Sequence, residues 1–392
     1  MKNILVFNAG SSSIKFALYS SLELSRPVYA GELTRIGTKG GTFGFRRAGA
    51  SPEAGPADAA NHEEAFRRIF SRIRSLEGPG PDVIAHRIVH GGPRYGEPTL
   101  LTPEVTADIR RLVPYAPEHL PPALKGVELA AGFMEKARQV ACFDTAFHRT
   151  MPEVARTYAL PLPVRERGVE RYGFHGLSYQ YLLRELRRMG VGAAVSGRVV
   201  LAHLGHGASM AAVRDGRSIE TSMGFSPAGG LVMSTRTGDL DPGVVLYLLE
   251  EAGMSPPEVK DMVNRRSGLL ALSGRSDDMR DLLSAEASDP AARLAVELFC
   301  YQARKQLGSL FAVLGGLDLL VFTGGIGEHS PEVRRRICRG LGCMGLRLDE
   351  ERNSGNAAVI SLDSPGRAMV RVMQTDEEQL IAREALKLVE SL

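Results

Sequence analysis

The sequence predicts an α/β protein in which one architecture is used twice, with a cleft between the copies. Three observations lead there. At roughly 150 residues per domain, 392 residues suffice for two or three domains. A strand, a turn of small residues and a second strand open the chain, and the same succession returns about 195 residues later. Glycine is abundant, at 43 residues, and gathers in a few turns that follow apolar strands.

Taken in order, residues 4–8 read as a buried strand and 14–19 as its partner, with Ala9-Gly10-Ser11-Ser12-Ser13 turning the hairpin. Residues 40–58, rich in Gly, Ala and Pro, read as an exposed loop. From 63 to 76, Ala65, Phe66, Ile69, Phe70, Ile73 and Leu76 recur at helical spacing. Residues 82–89 form another strand, which ends at Gly91-Gly92. Three prolines and little periodicity over 151–167 put the main domain transition there. Strands follow at 198–203 and 209–213 around a glycine-rich turn. A long amphipathic helix at 292–314 feeds a buried strand at 317–322 and the turn Thr323-Gly324-Gly325-Ile326-Gly327. Ser330-Pro331-Glu332 starts a helix as cap, first-turn proline and acid. Thr375 and Glu378 form a capping-box pattern before the last helix.

Composition excludes several classes. Hydrophobic residues make up 44% and charged residues 24%, which rules out a disordered, collagenous or heptad-dominated chain. A net charge of +3 from 48 basic and 45 acidic residues is too even for a nucleic-acid footprint. Arg334-Arg335-Arg336, the densest basic run, reads as a solvated helix face. Cys142, Cys300, Cys338 and Cys343 form no CxxC pair and no signal peptide precedes them, so they read as reduced thiols of a cytoplasmic protein. The stretch 313–322 is interrupted by Asp318 and falls far short of the ~20 residues that cross a bilayer.

Three turns suit phosphate or nucleotide contact: residues 8–13, 203–209 and 323–328. Small residues let backbone amides approach anionic oxygens, and hydroxyls add donors. None matches a Walker A or dinucleotide pattern. Arg87 lies within an apolar strand, Arg236 in the polar loop Ser234-Thr235-Arg236-Thr237-Gly238-Asp239, Asp144 among aromatic neighbours, and His175 in Tyr172-Gly173-Phe174-His175-Gly176. Charged residues in such surroundings need partners. Arg87 with Asp144 as a structural ion pair is one reading, and catalysis the other. His86 and His90, four apart on a strand, stand about 13 Å apart, too far to share one zinc ion. A hard Mg²⁺ bridging phosphates and one or two protein oxygens remains compatible.

Together these residues resemble the acetate kinase family. The resemblance rests on Asn8-Ala9-Gly10-Ser11-Ser12-Ser13-Ile14-Lys15, His86-Arg87-Ile88-Val89-His90-Gly91-Gly92 and Phe143-Asp144-Thr145-Ala146-Phe147-His148. It extends through Arg171-Tyr172-Gly173-Phe174-His175-Gly176, His203-Leu204-Gly205 and Thr235-Arg236-Thr237-Gly238-Asp239-Leu240-Asp241-Pro242. Phe322-Thr323-Gly324-Gly325-Ile326-Gly327-Glu328 and Thr375-Asp376-Glu377-Glu378 complete it, in family order from residue 3 to about 383. The resemblance implies a duplicated actin-like, ribonuclease H-like fold of two α/β domains around a nucleotide cleft. One domain would comprise residues 1–150 and 376–392, the other 151–375.

It further implies reversible transfer of the ATP γ-phosphoryl group to acetate, giving acetyl phosphate and ADP with Mg²⁺, for which Mn²⁺ could substitute. Acetate is ionised at pH 7, so the nucleophile needs no general base. By motif, Arg236 and His175 match the transition-state stabilisers and Arg87 the substrate and phosphoryl contact. Asp144 matches the catalytic acidic residue, here an orienter rather than a proton carrier. Asn8 and Glu377 match the Mg²⁺ positions, Glu378 being assigned to the capping box, and Lys15 matches a phosphate contact. His203, Leu204, Gly205, His206 and Gly207, then Asp278, Met279 and Arg280, and then Gly325, Ile326, Gly327, Glu328 and His329 match nucleotide-binding stretches. Val89, Leu120 and Pro227 are candidate walls of the acyl pocket. His206 stands where the family usually has Asn, Met279 where Phe is usual and His329 where Asn is common.

The resemblance also implies a homodimer formed through the second domain, and closure of the cleft during catalysis. No nucleic-acid or membrane partner is expected. A propionate or other short-chain acyl kinase is the close alternative, since one methylene is worth only ~1–3 kcal/mol of discrimination. An actin-like regulatory ATPase that phosphorylates no metabolite is the alternative of a different class.

Overall fold

The computed structural model describes residues 1–76, 78, 80–192, 196–363 and 366–392. The chain divides into two compact units: Met1–Ala146 with Asp376–Leu392, and Phe147–Thr375. In the first unit, β1 (Asn3–Ala9) turns into β2 (Ile14–Ser20) and β3 (Tyr29–Leu33), all antiparallel. Strand β1 then pairs in parallel with β6 (Val83–Ile88), and β6 with β8 (Arg138–Phe143). The core order is therefore β3-β2-β1-β6-β8.

The second unit repeats it. Strands β9 (Arg198–Leu204), β10 (Ala208–Arg214) and β11 (Arg217–Thr221) are antiparallel neighbours, and β9 pairs in parallel with β12 (Leu319–Thr323), which pairs with β13 (Met369–Val372). The order β11-β10-β9-β12-β13 matches the first sheet strand for strand in sequence and sense. One strand-turn-strand echo could arise by chance. Five strands in the same order and direction mark a duplicated actin-like, ribonuclease H-like α/β fold.

Both faces of each sheet are covered, so the central strands are apolar along most of their length. On β1, alternation sends Leu5, Phe7 and Ala9 to a core shared with Phe66, Ile69 and Phe70 of helix His62–Arg74. The opposite side carries Asn8, which reaches the start of the last helix, Glu377–Glu390. In the second unit, Tyr179, Leu182, Leu183 and Leu186 of helix Gly176–Arg188 pack on Val199, Leu201, Ala211 and Val321. Among the described residues, no helix is long and apolar enough to cross a membrane.

Three expectations are corrected. Residues 40–58 are not a loop. Strands β4 (Thr42–Arg47) and β5 (Glu53–Pro56) extend the first sheet, and Phe45 is buried against Tyr29 and Phe16. The remaining short strand of that sheet, β7 (Thr99–Leu100), pairs with β8. Nor is Arg334 solvated: it is fully buried, and its guanidinium donates to the carbonyls of Gly327, Glu328 and Asn353 and to the side chains of Asn353 and Asn356. Burial pushes that guanidinium down to about 10. The last helix is capped by Asp376, whose carboxylate accepts from the Gln379 amide, so Thr375 and Glu378 form no capping box.

The cores also predict a pH dependence. His86 is 2% exposed, with its Nε2 2.7 Å from Gln139 Oε1, and burial pushes its imidazole down to about 4. The unfolded chain titrates this group near 6.5. The folded state is therefore fully favoured above that value and loses ground as pH falls from 6.5 towards 4, because only the unfolded chain takes the proton. Of the difference in urea unfolding between pH 7.5 and pH 5, His86 should supply about 2 kcal/mol, and His86→Gln should remove that part. An unchanged pH slope in the variant would contradict it.

Candidate functional site

The first unit gathers charge at the carboxyl ends of its parallel strands, where α/β folds place ligands. Arg87, near the end of β6, donates from Nε to Asp144 Oδ2 at 2.9 Å and from Nη2 to the same oxygen at 2.5 Å. Its Nη1 donates to Asn8 Oδ1 at 3.1 Å, and Glu377 Oε2 lies 3.6 Å from Nε. Asp144 is fully buried, whereas Arg87 keeps 13% of its side chain exposed. Burial works against the Arg87 charge, but Asp144, Glu377 and Glu378 prevail and raise its pKa.

Asn8 holds this cluster together. Its amide donates to Glu377 Oε2 at 3.2 Å and to Glu378 Oε1 at 2.8 Å. Burial, and then the neighbouring Glu377, push the Glu378 carboxyl up. Lys15 lies opposite Asn8 in the β1–β2 register and is exposed. Among the described residues, no group of three or more His, Cys, Asp or Glu is arranged to hold a metal ion. Asn8 and Glu377 carry one amide oxygen and one carboxylate, the first accepting from Arg87 Nη1 and the second from Asn8 Nδ2. Such a hard, sparse donor set suits a magnesium ion whose other ligands are water and phosphate. Val89 and Leu120 are both buried.

The second unit carries two linked features. Around the β9–β10 turn, Gly205 and His206 join Asp278, Met279, Arg280, Gly325, Ile326 and His329 in lining a cavity of about 740 Å³. That volume falls in the range of small-molecule sites. Its residues come from four separated stretches: the turn, Ser234, residues 277–283 at the start of helix Met279–Ala285, and residues 325–332, which run from helix Gly324–His329 into the start of helix Pro331–Cys338. Met279, Leu283, Ile326 and Pro331 supply apolar walls, and Asp277, Asp278, Arg280, His206 and Glu332 supply charge or hydrogen bonds.

Gly207, two residues along the same turn, faces the second feature. A Cβ there would stand 3.2 Å from His175 Nε2 and 3.5 Å from Arg236 Nη1, so a side chain would intrude between the two groups. His175 caps helix Gly176–Arg188 in a left-handed conformation, with φ 59° and ψ 21°. Its ring stacks on His203 at 4.2 Å between centroids. Arg236 donates to Pro227 O at 3.1 Å. Its loop is pinned by backbone bonds from Ser267 to Thr235, from Leu269 to Met233 and from Leu270 to Ser234. Gly268, at φ 64°, is required there: a Cβ would stand 2.1 Å from Met233 O.

His206 Nε2 lies 3.3 Å from Asp277 Oδ2. Burial and the Arg236 charge lower the His206 pKa, with Asp277 opposing them. Arg280, paired with Asp278 at 2.6 Å, holds that carboxyl below its usual range.

Leu204, Gly327 and Glu328 do not line the cavity. Leu204 is fully buried, and Glu328 Oε1 turns back to accept from Thr323 Oγ1 and the Gly324 amide. Sequence reasoning missed Ser234, Asp277, Leu283 and Glu332 as cavity residues. It also missed Glu378 as the partner of Asn8, and Ser209 and Tyr179 behind His175. Asp277 adjoins a chosen residue and was within reach. Ser234 opens the polar loop of Arg236 and was also within reach, whereas Leu283 carries no local signal.

The chain is similar along its length to known proteins. The model of the Acetokinase family matches residues 3–383. The acetate kinase of Methylocella silvestris is 46% identical, covering 99% of this chain and 98% of its own length. That of Rhodopseudomonas palustris is 43% identical over 99% and 98%. Among solved structures, an acetate kinase from Porphyromonas gingivalis superposes with a TM-score of 0.87 at 35% identity, covering 99% of this chain and all of that one. A propionate kinase from Francisella tularensis does so with 0.89 at 34% over the same shares.

Proposed function

The chain belongs to the acetokinase family, and from that premise we propose that it transfers the γ-phosphoryl group of ATP reversibly to acetate, giving acetyl phosphate and ADP. The observation that carries this reading is one turn with two tasks. Gly205 and His206 line the 740 Å³ cavity, while Gly207 abuts His175 and Arg236. A nucleotide in that cavity would direct its phosphates along the turn towards an imidazole and a guanidinium.

The chemistry asked of these residues is modest. The acid is already an anion at neutral pH, so no side chain need remove a proton. Phosphoryl transfer spreads charge over the equatorial oxygens, and catalysis consists of alignment and charge stabilisation. Arg236 and His175 would stabilise that charge. Arg87, gripped by Asp144, offers a fixed planar donor to the acid and the phosphoryl group. Asp144 orients Arg87 rather than carrying a proton. Asn8 and Glu377 would hold Mg²⁺, which when bound neutralises phosphate charge.

The test is hydroxamate trapping of acyl phosphate, with ATP and acetate, propionate or butyrate in parallel. Acetate should give the highest kcat/KM. Preference for propionate would move the protein to the alternative acyl kinase, and ATP hydrolysis without acyl hydroxamate would favour a regulatory ATPase.

His206 adds a pH signature. Its imidazolium attracts phosphate more strongly than its neutral ring, which can offer only one uncharged N–H, so ATP affinity should strengthen as pH falls below the ordinary histidine value of about 6.5. The KM for ATP between pH 5.5 and 8 should show this trend, and His206→Asn should flatten it. A variant with an unchanged profile would contradict the assignment.

The protein is further proposed to be a cytoplasmic homodimer. Helix Pro242–Glu250 buries none of its residues, and Val244, Leu246 and Tyr247 are 41%, 53% and 60% exposed. Exposed apolar side chains on a helix with no buried residue suit contact with a second copy of the chain. Sedimentation should give a dimer, and Leu246→Asp with Tyr247→Asp a monomer. A monomeric native protein would refute the assignment.

A further inference from the structure

We propose that Ser209 and Tyr179 are positioning residues that hold the His175 imidazole with its proton on Nε2, the nitrogen presented to the phosphoryl group. The proposal rests on His175 as a phosphoryl contact and adds what fixes its tautomer. His175 Nδ1 lies 2.9 Å from Ser209 Oγ, which in turn lies 2.5 Å from Tyr179 Oη. Ser209 and Tyr179 are both fully buried. Tyr179 stands one helical turn beyond His175, and its amide donates to the His175 carbonyl at 3.0 Å, so one helix delivers both ends of the relay. Ser209 comes from β10, immediately after the turn that carries Gly207.

The order of donation follows from acidity. A phenol is a far stronger acid than an aliphatic alcohol, so Tyr179 donates to Ser209. Ser209 then has one proton to give and gives it to His175 Nδ1. An Nδ1 that accepts leaves the proton of the neutral ring on Nε2. Nε2 is also the ring nitrogen nearest the space beside Gly207 and Arg236. The opposite tautomer would turn a lone pair towards an anionic phosphoryl group. Because the relay ends in a hydroxyl and not a carboxylate, it orients the ring without favouring imidazolium, unlike the aspartate of a serine-protease triad.

The backbone is held separately. His148 is 1% exposed, with Nε2 3.0 Å from the Phe174 carbonyl and Nδ1 2.8 Å from Ser218 Oγ. Loss of the Ser209 hydroxyl should therefore disturb the proton on His175 more than the position of its ring.

Nitrogen NMR of the full chain labelled at histidine tests this, with the His175 signals assigned by their loss in His175→Gln. The expected result at pH 8 is a pyrrole-type Nε2 and a pyridine-type Nδ1. Ser209→Ala should mix the tautomers and lower kcat about tenfold to a hundredfold, with the KM for ATP within about twofold. Ser209→Thr, which restores a hydroxyl, should recover the tautomer. Tyr179→Phe, which keeps the ring in the core, should shift it in the same direction as Ser209→Ala and serves if that variant fails to fold. A pyrrole-type Nδ1 in the native protein overturns the proposal, as does an unchanged tautomer ratio and kcat in both variants. Absence of acyl phosphate formation by the native protein would instead overturn the phosphoryl-contact reading beneath it, while the tautomer ratio still reads the relay.

Discussion

Arg236→Ala should lower kcat about 10²–10³-fold and leave thermal unfolding nearly unchanged. The size follows from what a fixed donor contributes where charge develops in a transition state. The selectivity follows from how the loop is built. Residues 233–238 are held by backbone bonds to the segment 263–270 and by the close approach of Gly268, none of which uses the guanidinium. Arg236→Lys should recover only a small part of the rate, because a point charge on a flexible stem lacks the planar fork. The KM for ATP should change little, since Arg236 is not among the residues lining the cavity. Activity within tenfold of the native protein would contradict the role assigned to Arg236.

Asp144→Ala should damage both stability and activity. Its carboxylate is wholly buried and receives two hydrogen bonds from Arg87. Removing one partner of a buried pair costs about 3–5 kcal/mol where the other charge is left uncompensated, and Glu377, 3.6 Å from Arg87 Nε, should offset part of that here. The freed guanidinium would also lose its fixed orientation, so kcat should fall along with stability. Asp144→Asn, which keeps an acceptor oxygen, should restore part of the stability and less of the rate. Urea unfolding and acyl hydroxamate formation, measured on both variants, separate the two effects. A stability loss below about 1 kcal/mol in Asp144→Ala would show that Arg87 does not depend on this partner.

Much of the fold was legible where periodicity is strong and local. The hairpin of β1 and β2 and the helix with Phe66, Ile69 and Phe70 each carry their pattern within about eighteen residues. The duplication was visible only as a hint, because strand order is a property of pairing and no single segment encodes it. Strands β4 and β5 were missed because glycine, alanine and proline hide an alternation marked only by Phe43 and Phe45. Arg334 was misjudged for the opposite reason. Three adjacent arginines look alike in sequence, yet helical rotation turns Arg335 and Arg336 towards Glu332 and buries Arg334, which makes five hydrogen bonds.

The candidate site divides in the same way. Residues inside distinctive motifs, such as Arg87, Asp144, His175 and Arg236, could be chosen from the sequence. Their supports could not, because Ser209 lies 34 residues from His175 and Glu378 lies 370 from Asn8. Glu378 was set aside for a cap that Asp376 in fact provides. A side chain that acts through another residue leaves its mark in coordinates and not in a local pattern.

The account depends on a carboxylate oxygen attacking phosphorus, and oxygen isotopes test that directly. Acetate labelled with ¹⁸O in both oxygens, supplied with ATP and Mg²⁺, should give acetyl phosphate with a labelled bridging oxygen. Hydroxylamine attacks the acyl carbon, so the released phosphate should carry one ¹⁸O. Phosphate free of label, formed while ATP is consumed, would mean that water or another group is the nucleophile and would contradict the mechanism.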